Sequence, residues 1–231
     1  MTLAFLLAAS LLSVSSAPAQ ERLVGLLTLP EVFGDGPCHE FTPEEVPLYR
    51  EVGSEQAFGV IRVDRSWTFP DEGGCDGLIV SVHTGEGRWV SPLPTEELDY
   101  EAPAAVVLEE RNRWFKLRLS DGVGWVQASE KCSYVPLEEL LFHRLTYITE
   151  GSDAYLLSRP GGANGVAKAS SGDSVHVVEV ATVENQLWIH VQVMSHSVCS
   201  SADEPTVVSQ GWMQAHGATG KPAVWFSSRG C

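Results

Sequence analysis

The strongest constraint on this chain is a block that occurs twice. Trp114-Phe115-Lys116-Leu117-Arg118-Leu119 turns at Ser120-Asp121-Gly122 and returns as Gly124-Trp125-Val126-Gln127-Ala128. Trp188-Ile189-His190-Val191-Gln192-Val193 does the same and returns as Gly211-Trp212-Met213-Gln214-Ala215. The shared pattern is Trp-x-x-[LV]-x-[LV], a loop, then Gly-Trp-[VM]-Gln-Ala. Side chains alternate with period two, so each block reads as a β-hairpin with one apolar face. The glycine lets the returning strand pack closely. Eleven residues separate the tryptophans of the first block and 24 those of the second. The longer loop is polar and carries Cys199, as suits an insertion at a hairpin tip.

Elsewhere short β-branched runs lie between Gly, Pro, Asn and Asp, which predicts an all-β fold. Candidate strands are Val60–Val63, Leu78–His83, Ala105–Glu109 and Trp114–Leu119, then Gly124–Ala128 and Val175–Val180, then Trp188–Val193, Gly211–Ala215 and Ala223–Ser227. Only Pro136 to Leu145 has helical spacing. Each hairpin follows an earlier strand with a tyrosine, Tyr49 in the first unit and Tyr155 in the second, read as equivalent positions. From this Tyr to the hairpin Trp is 65 residues in one unit and 33 in the other, so the first holds about 32 extra residues, about 65–100.

The N-terminal stretch Leu3 to Leu12 is apolar but too short to span a bilayer, and Ala17 and Ala19 form an A-x-A cleavage pattern. A signal peptide over residues 1–19 is expected, against a buried N-terminal helix as the other reading. The Lys or Arg that usually precedes such a stretch is missing, and no cysteine follows to take a lipid anchor. The expected location is periplasmic or secreted, with no membrane span. Net charge is −15, from 30 acidic and 15 basic residues, which argues against nucleic acid as a partner. Residues 21–140 carry 23 acidic and 10 basic groups, whereas 141–231 carry 7 and 5. That asymmetry is a second hint of two domains.

The five cysteines form no C-x-x-C pair. Export permits disulfides, and the odd count leaves one thiol over. Sequence does not fix the connectivity. If each half closes its own bridge, the pairs are Cys38–Cys75 and Cys199–Cys231, with Cys132 left over.

The residues Tyr155, Ser158-Arg159-Pro160-Gly161, Val175–Val180, Trp188-x-x-Val191-x-Val193 and Gly211-Trp212-Met213 resemble a bacterial SH3-like (SH3b-type) barrel. The first unit fits through Trp114 to Gly122 and Gly124-Trp125-Val126. The resemblance implies two tandem SH3-like small β-barrels, over 45–130 (insertion about 65–100) and 150–231 (insertion about 195–209). It further implies a non-catalytic exported module that attaches to peptidoglycan, to another envelope polymer, or to an extended peptide or protein partner. A structural or assembly protein, or an inhibitor of an envelope enzyme, is the alternative.

Such a module would bind through a shallow aromatic groove stacking on sugar or proline faces. The candidates are Trp114, Trp188, Tyr49, Tyr155 and Tyr100, while Trp125 and Trp212 read rather as core. Catalysis has little support: Cys38 and His39 are neighbours whose side chains point apart on a strand, and neither G-x-S-x-G nor a P-loop occurs. His190, His196, Cys199, Asp203 and Glu204 lie close in sequence but match no zinc spacing. Neither a metal nor a cofactor is expected.

Overall fold

The computed structural model describes residues 21–34, 43–64, 79–85, 90–100, 102–142, 144–200 and 203–231. The first unit runs β1 (Gly25–Leu27), α1 (Pro30–Phe33), β2 (Val46–Leu48), β3 (Gly59–Asp64), β4 (Ile79–Thr84) and β5 (Val90–Pro92). It continues with β6 (Thr95–Asp99), β7 (Ala102–Arg111), β8 (Trp114–Leu119), β9 (Gly122–Gln127) and β10 (Tyr134–Pro136). Helix α2 (Leu137–Leu141) leads into the second unit: β11 (Thr146–Ile148), β12 (Ala154–Leu157), β13 (Gly165–Ala169) and β14 (Ser174–Val183), then β15 (Gln186–Met194), β16 (Val207–Gln214) and β17 (Val224–Phe226). The described residues are all-β apart from two short helices.

The two units trace the same path. In the second, the strand order is β17-β11-β14-β15-β16-β12-β13. In the first, β10-β1-β7-β8-β9 is joined to β2-β3 by the bridge between Trp125 and Tyr49. All these strands pair antiparallel. Each sheet is an open path rather than a closed ring. The sequence repeat at the tryptophan hairpins is therefore the visible part of a longer structural repeat.

Local details repeat as well. The turns Asn112-Arg113 and Glu184-Asn185 each place two successive residues at positive φ (51° and 66°, 51° and 60°). That left-handed pair matches the twist of the hairpins it closes. The long strands β7 and β14 break register at the same place, between Val107 and Glu109 and between Val177 and Glu179. Both return-strand glycines are forced by close approach. A Cβ on Gly124 would come 2.5 Å from Leu48 Cδ1, and one on Gly211 would come 2.8 Å from Leu156 Cβ.

Of the stretch about 65–100, the described part forms β4 and β5, which widen the sheet beyond β3, and β6, which pairs with β7. Of the shorter insertion, about 195–209, the described residues 195–200 and 203–206 form loop and the rest begins β16. Its base is held by the Cys199–Cys231 disulfide (Cα–Cα 5.2 Å) and by the Tyr147 hydroxyl on Ser197 (2.7 Å). Cys132 is a free thiol. Cys38 and Cys75, like the stretch 1–19, lie outside the described residues.

Two cores result. Leu27, Leu48, Ile61, Leu117 and Val126 fill one inside the first unit. The other joins the units: Leu26, Val106 and Leu108 of the first pack with Leu137, Leu140 and Leu141 of α2 and with Ile148, Leu156, Ile189 and Val191 of the second. Strand β7 is thus covered on both faces, which explains why Ala104 to Leu108 is continuously apolar rather than alternating. Hydrogen bonds rim this junction. The Arg144 guanidinium donates to the Leu98 carbonyl (2.8 Å), and His216 Nε2 donates to the Leu23 carbonyl (2.7 Å).

Candidate binding face

Alternation along β8 sets the site. Phe115, Leu117 and Leu119 point into the first core, so Trp114, Lys116 and Arg118 share the opposite face. Directly paired residues of neighbouring strands lie on the same face. Trp125 is opposite Lys116, Arg111 is opposite Trp114, and Tyr49 is bridged to Trp125. Tyr49, Trp114 and Trp125 therefore form one aromatic strip on the outer side of the sheet.

The Tyr49 and Trp114 rings meet edge to face, with centroids 5.2 Å apart and planes at 73°. Both are half-buried. Trp125 is only 7% exposed, with the Arg111 guanidinium 5.3 Å over its ring. Arg111 also pairs with Glu109, and Lys116 reaches Glu21 at 3.3 Å.

The second unit builds the same strip and closes it. His190 stands where the first unit has Lys116, and its ring stacks on Trp212 at 5.2 Å and 22°. Trp188, the counterpart of Trp114, is 7% exposed, and Trp212 is 9% exposed. The register corrects the equivalence read from the sequence. Leu157, not Tyr155, pairs with Trp212 as Tyr49 pairs with Trp125, and Leu156 meets Gly211 as Leu48 meets Gly124. Tyr155 sits two residues earlier, opposite Lys168 and 72% exposed.

Of the five groove candidates, the structure brings Tyr49 and Trp114 together. Tyr100 is exposed where β6 turns into β7, under the Arg229 guanidinium at 5.3 Å. Trp125 and Trp212 are buried, but against the outer sheet faces rather than within either apolar core. The cations on the strip, Arg111 and Lys116, were not singled out from the sequence. Their signal is the same alternation that carries the tryptophans.

Two polar clusters lie elsewhere in the first unit. His83 Nε2 donates to Asp64 (2.8 Å). Burial pushes the Asp64 carboxyl up, but the bonds from His83 and Ser81 outweigh it and hold the group below its ordinary value. The Cys132 thiol donates to Glu31 at 3.5 Å, and burial, with Glu31 adding its charge, pushes that thiol up, away from reactive thiolate. In the second insertion, His196 is taken up within its own loop, bonded to Ser195 (2.9 Å) and to the Asp203 carbonyl (3.0 Å). Among the described residues no three metal-ligating side chains converge, and no helix is long and apolar enough to cross a membrane.

Comparison with protein-family models, with curated proteins and with solved structures found no match to this chain.

Proposed function

We propose that the protein is a non-catalytic exported binding module built of two SH3-like units, and that it recognises peptidoglycan or an extended peptide through the Tyr49–Trp114 face. The observation that carries this reading is the half-open edge-to-face pair on the outer sheet of the first unit, with the buried Trp125 beside it on the same face. Such a pair offers flat apolar area at little cost in side-chain freedom, which suits a sugar ring or a proline face. Support for the SH3-like reading comes from the repeated strand path and the two matched hairpins. The Cys199–Cys231 disulfide is compatible with a periplasmic or extracellular site.

The test is co-sedimentation of the purified protein with insoluble peptidoglycan, alongside titration with a proline-rich peptide. The wild type should bind one of the two, and Trp114→Ala should lose that binding while keeping its circular dichroism and a cooperative melt well above the assay temperature. A folded Trp114→Ala that binds as the wild type does would overturn the reading.

A further inference from the structure

A second site lies at the far end of the same sheet face, where the first unit meets the second. Arg118 is the last outward residue of β8, and it opens into a cleft of about 500 Å³. Leu23 and Glu96 complete the wall from the first unit, and Glu150, Lys221 and Trp225 stand on the second. That volume lies within the range of small-ligand sites, with room for a few residues and not for a folded partner.

The charges in this cleft are unspent. Among the described residues, none of the Arg118, Lys221, Glu96 and Glu150 side chains makes a hydrogen bond, or an ion pair within 4.0 Å, to another residue. Arg62, Arg111, Lys116, Lys131, Lys168 and Arg229 find carboxylates, whereas Arg118 and Lys221 do not and both line this one cleft. The two cations come from different units and both act on Glu96. The cleft walls remove enough water to raise the Glu96 carboxyl, although Arg118 and Lys221 pull it the other way. Opposite charges thus face one another across a gap too wide for direct contact. A molecule carrying both signs would bridge that gap.

We propose that this cleft binds a short peptide with free ends, its terminal carboxylate held by Arg118 and Lys221 and its ammonium by Glu96 and Glu150. The Arg118 guanidinium can take a carboxylate with two parallel N–H bonds, which a lysine cannot do. Trp225 and Leu23 supply apolar wall for the side chains between. The ligand class follows from the charge pattern and is independent of the Tyr49–Trp114 face.

The test titrates the full chain with tri-alanine as the free acid, as its C-terminal amide and as its N-acetyl derivative, following the Trp225 indole N–H signal by NMR. The free acid should shift that signal saturably. The amide should bind about tenfold more weakly, as should the free acid to Arg118→Gln or Lys221→Gln, since each change removes one charged hydrogen bond. Lys221 is exposed, so its replacement leaves the fold intact, and a melting profile checks Arg118→Gln. No saturable shift at millimolar peptide, equal affinity for acid and amide, or wild-type binding by Arg118→Gln each overturns the proposal. Because the probe is Trp225, failure here leaves the Tyr49–Trp114 reading standing, and the converse holds.

Discussion

The two units follow one strand path, share a register break and a left-handed turn pair, and place tryptophans at matching positions. They differ in what happens to that outer strip. In the second unit a flat imidazole stacks on Trp212, Leu157 takes the place of Tyr49, and Trp188 is sealed. In the first unit Lys116 is drawn away to Glu21, and Tyr49 meets Trp114 only by its edge, so the pair stays half-open. The same backbone therefore makes a closed structural seam in one copy and an aromatic face in the other. Two side-chain choices on an otherwise repeated scaffold, His190 against Lys116 and Leu157 against Tyr49, go with the difference.

The largest expected effect tests that contrast. Trp188→Ala empties a buried site and should cost about 3–5 kcal/mol. Trp114→Ala should cost about 1 kcal/mol, since at roughly half burial only part of the ring leaves an apolar environment. Equal losses in chemical denaturation would mean that the two strips are alike.

Next, the disulfide anchors the second unit alone among the described residues. Cys231→Ser opens a loop with a sequence separation of 32 and should cost about 2–4 kcal/mol. Hydrogen exchange should quicken in β15, β16 and the intervening loop. Exchange that quickens equally in β2 and β3 would show that the bridge acts on the whole molecule.

The paired glycines give a finer comparison. Gly124→Ala and Gly211→Ala should each cost about 1–3 kcal/mol by overpacking. Gly211→Ala should be the worse of the two, because its new methyl meets Leu156 Cβ and the Leu157 carbonyl, whereas at Gly124 the obstacle is the movable end of Leu48. The reverse order of melting temperatures would contradict this reading of the two contacts.

The smallest effect concerns the junction. Burial lowers the His216 pKa from its ordinary 6.5, against the bond to the Leu23 carbonyl, and nearby Arg22 lowers it further. A folded value below the unfolded one favours the neutral ring. Its contribution is present above about pH 6.5 and is lost as pH falls through the lowered folded value. Thermal melts from pH 7 to pH 5 should therefore fall further for the wild type than for His216→Gln. Parallel decline in the two proteins would remove His216 from the account.

How much of this was legible in the sequence depends on which residues carried the signal. Alternation in Trp114–Leu119 and Trp188–Val193 placed both hairpins, because one face of each strand is buried and the pattern reports it directly. The share of the repeat in β1, β2, β11 and β12 was hidden, since strands of three or four residues leave too few positions for a period. Ala104 to Leu108 did not show which unit it served, because it serves both cores. Tyr155 drew the eye as an aromatic, and only register could show that Leu157 occupies the place of Tyr49. Arg118 and Lys221 are 103 residues apart in the chain, and nothing local marks them as facing one cleft.

The most direct measurement follows the indole N–H signals of the folded wild-type protein during addition of soluble peptidoglycan fragments, and separately of a proline-rich peptide. The account predicts a saturable shift at Trp114 with one of them, while Trp188 and Trp212 stay in place. A shift confined to Trp188 and Trp212, or no movement of Trp114 with either ligand, would contradict it.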